Sequence, residues 1–167
     1  KMTNKIEYKK KIVSLASTLK PSPTKSLLLQ ALNLPSSQSI VIQMGNRLEK
    51  FWNFVINETS ISLDTSNCTR QIDMSWKDTK GDNYYAESKC NWELDSDKMP
   101  ATLAKVEEQA RILNATGICF CPVLRKNKKV RGKEIYGVEW VLKSLGVTAF
   151  TSDDYFKWLR VDVRSVI

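Results

Sequence analysis

The sequence predicts one α/β domain with a central mixed β-sheet flanked by α-helices. Its 167 residues are the usual length of a single domain, and we assign residues 1–167 to it. A composition of 42% hydrophobic and 26% charged residues is typical of a folded chain. An amphipathic helical pattern at residues 100–114 lies between strand patterns at 83–92 and 116–124. This order predicts a β-α-β unit with a right-handed crossover.

Residues 1–57 are predicted to be helical. An apolar-basic pattern covers residues 3–19, and the pair Ser22-Pro23 supplies an N-cap and a first-turn proline for a second helix. A third helix is predicted at 47–57, starting near Gly45-Asn46. Its apolar side chains recur at the spacing of one buried helix face and are Leu48, Phe51, Trp52 and Val55.

A hairpin and the β-α-β unit make a predicted core of residues 68–124. Residues 70–77 alternate between polar and apolar side chains, as in a half-buried strand. Turn-forming residues around Gly81 follow, and residues 83–92 are the expected return strand. The nearly continuous apolar run at 116–124 is typical of a central strand buried on both faces.

Residues 125–167 are predicted to form a basic loop followed by C-terminal elements. Six of the nine residues from 125 to 133 are Lys or Arg. A helix at 138–145 and a short strand at 147–150 are expected next. The last helix should begin at Thr151, because the acidic residues that follow favour a helix N-terminus.

Charge and composition exclude several classes of protein. The chain has 26 Lys and Arg against 18 Asp and Glu, a net charge of +8, which favours an anionic partner such as nucleic acid. It contains no histidine, which excludes Ser-His-Asp hydrolases, Cys-His proteases and HExxH metalloproteases. No phosphate-binding GxxxxGK[ST] loop is present. Carboxylates, lysine, thiols and hydroxyls remain as catalytic groups.

The four cysteines are predicted to be free thiols. They are Cys68, Cys90, Cys119 and Cys121. A structural zinc site usually needs two closely spaced pairs, and here one pair is close. Alternation along the apolar run places that pair together on one buried face. With no apolar run of the ~18 to 20 residues that a membrane span needs and no evident signal peptide, we expect a soluble cytoplasmic protein.

Asp73, Glu87 and Lys89 form the candidate catalytic group. Glu87 and Lys89 are two residues apart on a predicted strand, so they share a face roughly 7 Å apart. Asp73 lies on the hairpin partner, whose polar face can meet that same face. Two carboxylates suit Mg²⁺, which uses few protein oxygens and several waters. A nearby lysine can orient or deprotonate an attacking water, or offset charge on phosphorus.

The pattern Asp-x13-Glu-x-Lys resembles that of the PD-(D/E)XK nucleases. The proline of the family motif is replaced here by Ile72. A closer resemblance, over about residues 45–123, is to type II restriction endonucleases. The segments that carry it are Gly45-Asn46-Arg47-Leu48-Glu49, Gln71-Ile72-Asp73, Glu87-Ser88-Lys89-Cys90-Asn91, Leu94-Asp95-Ser96-Asp97-Lys98 and Ala101-Thr102.

The resemblance implies a restriction-endonuclease-like fold and Mg²⁺-dependent hydrolysis of double-stranded DNA that leaves 5′-phosphate ends. Mn²⁺ is expected to substitute for Mg²⁺. Asp73, Glu87 and the Ser88 backbone carbonyl would hold the metal, Lys89 would assist the nucleophile, and Glu49 would join the metal and water network. A homodimer on a palindromic site, or a monomer that nicks each strand in turn, would be the active form. The resemblance also implies a prokaryotic host with a cognate DNA methyltransferase.

Predicted DNA contacts are Asn91 and Lys98 together with the basic stretch Arg125, Lys126, Lys128, Lys129, Arg131 and Lys133. Basic side chains can contact phosphates or guanine edges in the major groove. The same stretch could equally be a solvated loop. Glu49 could be an ordinary surface residue, and Glu87 with Lys89 an exposed ion pair beside a turn capped by Asp73.

Three other functions are compatible with the sequence. A structure-specific nuclease for junctions or repair would use the same three residues without depending on sequence. A basic DNA-binding module would have no catalysis and no specific Mg²⁺ site. A phage or toxin protein that holds RNA on the same fold is the third.

Overall fold

The computed structural model describes residues 38–93 and 98–159. Four helices and five strands lie in these ranges. In chain order they are α1 (Gln38–Thr59), β1 (Met74–Lys77), β2 (Asn83–Ser88), α2 (Lys98–Leu113), β3 (Thr116–Phe120), β4 (Lys128–Val130), β5 (Lys133–Tyr136), α3 (Val138–Ser144) and α4 (Ser152–Trp158). The helices predicted at 3–19 and from Ser22 lie outside the described residues.

The five strands form one mixed sheet in the order β1-β2-β3-β5-β4. β1 and β2 are antiparallel, β2, β3 and β5 run parallel, and β4 returns antiparallel to β5. Helix α2 connects the parallel strands β2 and β3, as the β-α-β prediction requires. The predicted α/β class with a central mixed sheet is therefore confirmed.

Alternation along the strands divides the buried side chains between the two faces of the sheet. Met74 and Trp76 of β1 join a large core with helices α1, α3 and α4. On the opposite face, Tyr85 of β2 packs against Val106 and Ala110 of α2. The sheet is thus covered by helices on both faces, which is the arrangement expected when parallel strands are buried.

Helix α1 supplies the centre of the large core. Trp52 has no exposed surface, contacts Phe120 edge-on and donates a hydrogen bond of 3.3 Å from its indole nitrogen to the Tyr155 hydroxyl. The predicted apolar stripe is confirmed, but the predicted start near Gly45-Asn46 is wrong. Both residues lie within the helix, because the helical backbone extends back to Gln38.

The strands are shorter than predicted. β1 begins at Met74, so residues 70–73 precede the strand, and β2 ends at Ser88 instead of residue 92. β3 ends at Phe120, two residues before Pro122, which lacks the amide hydrogen that a ladder needs. Apolar alternation thus located the strands well, whereas it overestimated their length at the ends that border polar loops.

The basic stretch predicted as a loop contains a β-hairpin instead. β4 and β5 pair through Val130 and Lys133, so a two-residue turn of Arg131 and Gly132 joins them. Both turn residues have positive φ angles, 51° and 79°, as a type I′ turn requires. Glycine adopts such angles freely, whereas arginine is uncommon at such positions. The sequence therefore did not indicate a hairpin turn at Arg131.

The strand predicted at 147–150 is wrong. Helix α3 ends in a Schellman arrangement, in which Val147 donates to the Leu142 carbonyl and Gly146 to the Lys143 carbonyl. Val147 is buried by this cap, so its apolar character reflects a helix ending. The start of α4 is confirmed, because Thr151 and Asp154 form a reciprocal capping box.

Gly137 lies where two chain segments come close together. A Cβ atom there would be 2.7 Å from the Arg125 carbonyl oxygen and 2.8 Å from that of Leu124. Because both contacts are backbone, Gly137→Ala should lower the free energy of unfolding by about 1 to 3 kcal/mol. Urea unfolding followed by circular dichroism would measure this change.

Gly45→Ala is the matched control for that variant. Gly45 lies in α1 with nothing within 4 Å of a built Cβ, so alanine should stabilise the protein by about 0.5 to 1 kcal/mol. If the two variants change the free energy of unfolding equally, the backbone segments around Gly137 can move apart to accept a Cβ atom.

Cys119 and Cys121 are buried together on one face of the sheet, as predicted, and this is the face that α2 covers. All four cysteines are free thiols, as was also predicted. Cys68 and Cys90 are half-buried. None of the helices in the described ranges has the length and apolarity to cross a bilayer.

Candidate active site

The ends of β1 and β2 bring Asp73 and Glu87 together. Met74 pairs with Ala86 in antiparallel register, so Asp73 and Glu87 are cross-strand neighbours. The Ser88 amide donates to Oδ2 of Asp73 at 3.0 Å. This bond fixes one carboxylate oxygen of Asp73 against the backbone that carries Glu87.

Glu87 is the most deeply buried acid of the site, with 4% of its surface exposed. Its burial, together with a hydrogen bond to the Asp73 carboxyl and repulsion from that group, raises the pKa of Glu87 to about 7. Two carboxyl groups in contact can share a proton, or can share a cation. The pair was correctly predicted to converge.

Glu49 lies beside this pair. It is half-buried on α1, and its pKa is raised by burial and by repulsion from Asp73, although Lys105 opposes this shift. Asn53 connects the two acids, because its side-chain amide donates to the backbone carbonyls of Glu49 at 3.0 Å and Asp73 at 2.9 Å. The structure thus brings Glu49 to the predicted carboxylates.

Lys105 is a site residue that the sequence reasoning missed. It projects from α2, and its ammonium lies 2.8 Å from Oε2 and 3.3 Å from Oε1 of Glu87. Its side chain is 16% exposed and that of Glu87 is 5% exposed, so the ion pair is largely removed from water. The available signal was that Lys105 lies four residues before Gln109, on the same helix face, and borders the apolar stripe that contains Val106.

Lys89 follows β2 directly. Its amide donates to the Phe120 carbonyl at 3.0 Å, so the extended backbone continues and places Lys89 on the same face as Glu87. Trp92 also donates to the Phe120 carbonyl, at 2.8 Å, and so holds the segment after Lys89 against β3. Within the described ranges the Lys89 ammonium has no ion-pair partner.

Gln109 anchors the chain that leads into Asp73. Its buried side-chain carbonyl accepts from the amides of Thr69 and Arg70, at 3.0 and 3.3 Å. Its amide group donates to the Thr69 hydroxyl at 2.8 Å. Lys105 and Gln109 are one helical turn apart, so a single face of α2 contacts both Glu87 and the chain segment that leads into Asp73. Gln109, like Lys105, was not among the predicted site residues.

The two touching carboxylates fit a divalent ion of the Mg²⁺ type, since Mg²⁺ often takes one or two carboxylates and completes its shell with water. Among residues 38–93 and 98–159, no group of three or more His, Cys, Asp or Glu side chains lies close enough to enclose a metal ion. Within these ranges, the carboxylates available to an ion at this site are therefore those of Asp73 and Glu87.

The first three predicted DNA contacts occupy different environments. Asn91 is exposed, and its side chain accepts from the Glu93 amide at 2.9 Å, as in an Asx turn. Lys98 is the first residue of α2 and is exposed. Arg125 is half-buried: it bonds to Asp153 at 2.7 Å and stacks over the Phe156 ring at 4.7 Å. Arg125 therefore connects the segment between β3 and β4 to α4.

The remaining five predicted DNA contacts are exposed on or next to the β4–β5 hairpin: Lys126, Lys128, Lys129, Arg131 and Lys133. Lys128 pairs with Ile135, which pairs in turn with Cys119, the neighbour of Glu87. Lys128 thus shares the face of Glu87 three strands away, about 14 Å across the sheet. Because β4 is antiparallel, Lys128 also lies at the same end of the sheet as the carboxylates.

Comparison of the chain with family models, with curated proteins and with solved structures found no match in any of the three.

Proposed function

We propose that the protein is a divalent-metal-dependent DNA endonuclease, and that its activity is the site-specific cleavage of a type II restriction enzyme. The observation that carries this proposal is the contact between Asp73 and Glu87 at the end of a β-hairpin, with Lys89 on the same face. A buried acid next to a second, half-buried acid is unfavourable for stability, so this arrangement favours a catalytic or metal-binding role.

In this proposal each residue of the site has a distinct role. Asp73 and Glu87 hold a Mg²⁺ ion, which when bound polarises a phosphodiester oxygen and acidifies water. Lys89 orients the attacking water or stabilises charge on the phosphorus. Glu49 binds the water network beside Asp73, and Asn53 holds the two backbones that carry these acids in register.

The proposed DNA path follows the end of the sheet where the carboxylates lie. Exposed Lys126 and Lys128 are at that end, so they can contact phosphates that flank the cut. Arg131 and Gly132 turn at the other end of β4, where Arg131 would reach a more distant phosphate. A restriction-endonuclease-like arrangement of the sheet, with a homodimer on a palindromic site, remains part of the proposal.

Digestion of a long, fully sequenced, unmethylated DNA with and without Mg²⁺ would test the proposed activity. Discrete fragments that require Mg²⁺ would support a restriction enzyme, and sequencing their ends would give the site and the stagger. A Mg²⁺-dependent smear, or cleavage of four-way junctions alone, would instead support a nuclease without sequence specificity. Salt-sensitive DNA binding with no cleavage would refute catalysis.

The stability of the metal-free protein should fall as the pH rises. The folded-state pKa of Glu87, about 7, lies above its ordinary 4.5. The stability that its protonation contributes is therefore complete below about pH 4.5 and is lost as the pH rises through 7. Between pH 5 and 8 this loss should be about 2 kcal/mol.

Urea unfolding in EDTA across this pH range would measure the effect, with Glu87→Gln as the reference because glutamine does not titrate. Between pH 5 and 8, the difference in unfolding free energy between wild type and Glu87→Gln should change by about 2 kcal/mol. Saturating Mg²⁺ should reverse the trend, since the ion needs ionised carboxylates. A difference that is constant with pH would contradict the assigned environment of Glu87.

A further inference from the structure

Lys105 is positioned to do more than neutralise a buried acid. Its ammonium contacts both oxygens of Glu87, at 2.8 and 3.3 Å, from a helix on the opposite side of the site from α1. The ion pair of Arg111 with Glu108 on the same helix is different in kind, because those side chains are 70% and 51% exposed. Lys105 is therefore a largely buried cationic partner that engages both carboxylate oxygens of Glu87.

Three acids lie at the site with Lys105: Glu87, Asp73 and Glu49. Lys105 forms an ion pair with Glu87 and also acts on Glu49. Without a metal ion, the ammonium partly compensates the acids. When a divalent ion binds between Asp73 and Glu87, it needs a Glu87 oxygen that Lys105 now holds, and it repels the ammonium at short range.

We propose that Lys105 is a built-in counter-ion that competes with the divalent metal ion for Glu87 and thereby sets the metal concentration at which the site fills. This inference rests on the proposed metal-dependent function. Lys105 is not assigned a catalytic role. It keeps the carboxylates in place in the metal-free protein, at the expense of weaker metal binding.

Calcium binding without DNA tests the proposal, because it needs no cleavage. Isothermal titration calorimetry and thermal unfolding would compare wild type with Lys105→Met, which keeps the side-chain length but removes the charge. The variant should bind Ca²⁺ about tenfold more tightly. In EDTA the variant should also melt at a lower temperature than wild type. Ca²⁺ should raise the melting temperature of the variant by more than it raises that of wild type.

Two matched variants separate this effect from others. Lys105→Arg keeps the positive charge and should bind Ca²⁺ much as wild type does. Lys143→Met removes an exposed positive charge from α3 and should also leave the affinity unchanged. If Lys105→Met is unfolded in EDTA, refolding on addition of Ca²⁺ would support the proposal, and failure to refold would overturn it.

The outcomes distinguish this inference from the proposed function. Unchanged or weaker Ca²⁺ binding by Lys105→Met, with binding abolished in Glu87→Gln, would overturn the competition while keeping the metal site. No Ca²⁺ binding by wild type, together with no Mg²⁺-dependent cleavage, would overturn both. Cleavage that persists without any metal dependence would likewise overturn the competition and the assignment of Glu87.

Discussion

Asp73→Asn should lower the rate of Mg²⁺-dependent DNA cleavage by at least about 1000-fold and leave the fold intact. The asparagine carbonyl can accept the hydrogen bond that the Ser88 amide now donates at 3.0 Å. It supplies a neutral oxygen in place of a carboxylate, so it should hold a divalent ion much more weakly. Single-turnover cleavage at saturating protein would measure the loss.

The same substitution should stabilise the metal-free protein at pH 8. It removes repulsion between two neighbouring carboxylates, and we expect a gain of about 1 kcal/mol in EDTA. Asp82→Asn, in the exposed β1–β2 turn, is the control and should change neither cleavage nor stability appreciably. Full cleavage by Asp73→Asn, or a loss of stability as large as the loss in a core variant, would contradict the assigned role.

Trp52→Ala should have the largest effect on stability, a loss of about 3 to 5 kcal/mol. The indole has no exposed surface and contacts the rings of Phe51, Phe120 and Tyr155. Its removal leaves a cavity between α1, β3 and α4. Since the free energy of unfolding of a small domain is about 5 to 15 kcal/mol, Trp52→Ala would remove much of it. Urea unfolding would measure it.

Ile61→Ala is the matched control for the core variant. Ile61 is also apolar but is 66% exposed, so its truncation should change stability by less than about 0.5 kcal/mol. Equal effects of the two substitutions would show that the rings around Trp52 do not form the stabilising centre of the fold.

Local patterns predicted the elements whose signals are independent of tertiary context. The apolar stripe of α1, the β-α-β unit and the Thr151 cap follow from helix periodicity, strand alternation and capping chemistry. The β4–β5 hairpin was missed because Arg131 occupies a turn position that usually has Asn, Asp or Gly. Val147 was read as strand because burial by a helix cap and burial in a sheet look alike in sequence.

The candidate site was predictable where its residues are neighbours along a hairpin. Asp73 and Glu87 meet through strand pairing, which the turn at Gly81 indicates. Lys105 and Gln109 could not be assigned, because their contacts depend on how α2 lies across the sheet. A lysine and a glutamine on an amphipathic helix are ordinarily surface residues, so their burial needed the three-dimensional structure.

Single-turnover cleavage of supercoiled plasmid DNA by wild type and Lys89→Ala, in Mg²⁺, would show whether the carboxylate and lysine group on the β1–β2 hairpin is catalytic. Lys80→Ala, an exposed lysine of the β1–β2 turn, is the matched control. Wild type and Lys80→Ala should cleave at similar rates. Lys89→Ala should be slower by at least about 100-fold while binding DNA in Ca²⁺ as wild type does. Cleavage by Lys89→Ala at the wild-type rate would refute the catalytic role of Lys89 and of the site built around it.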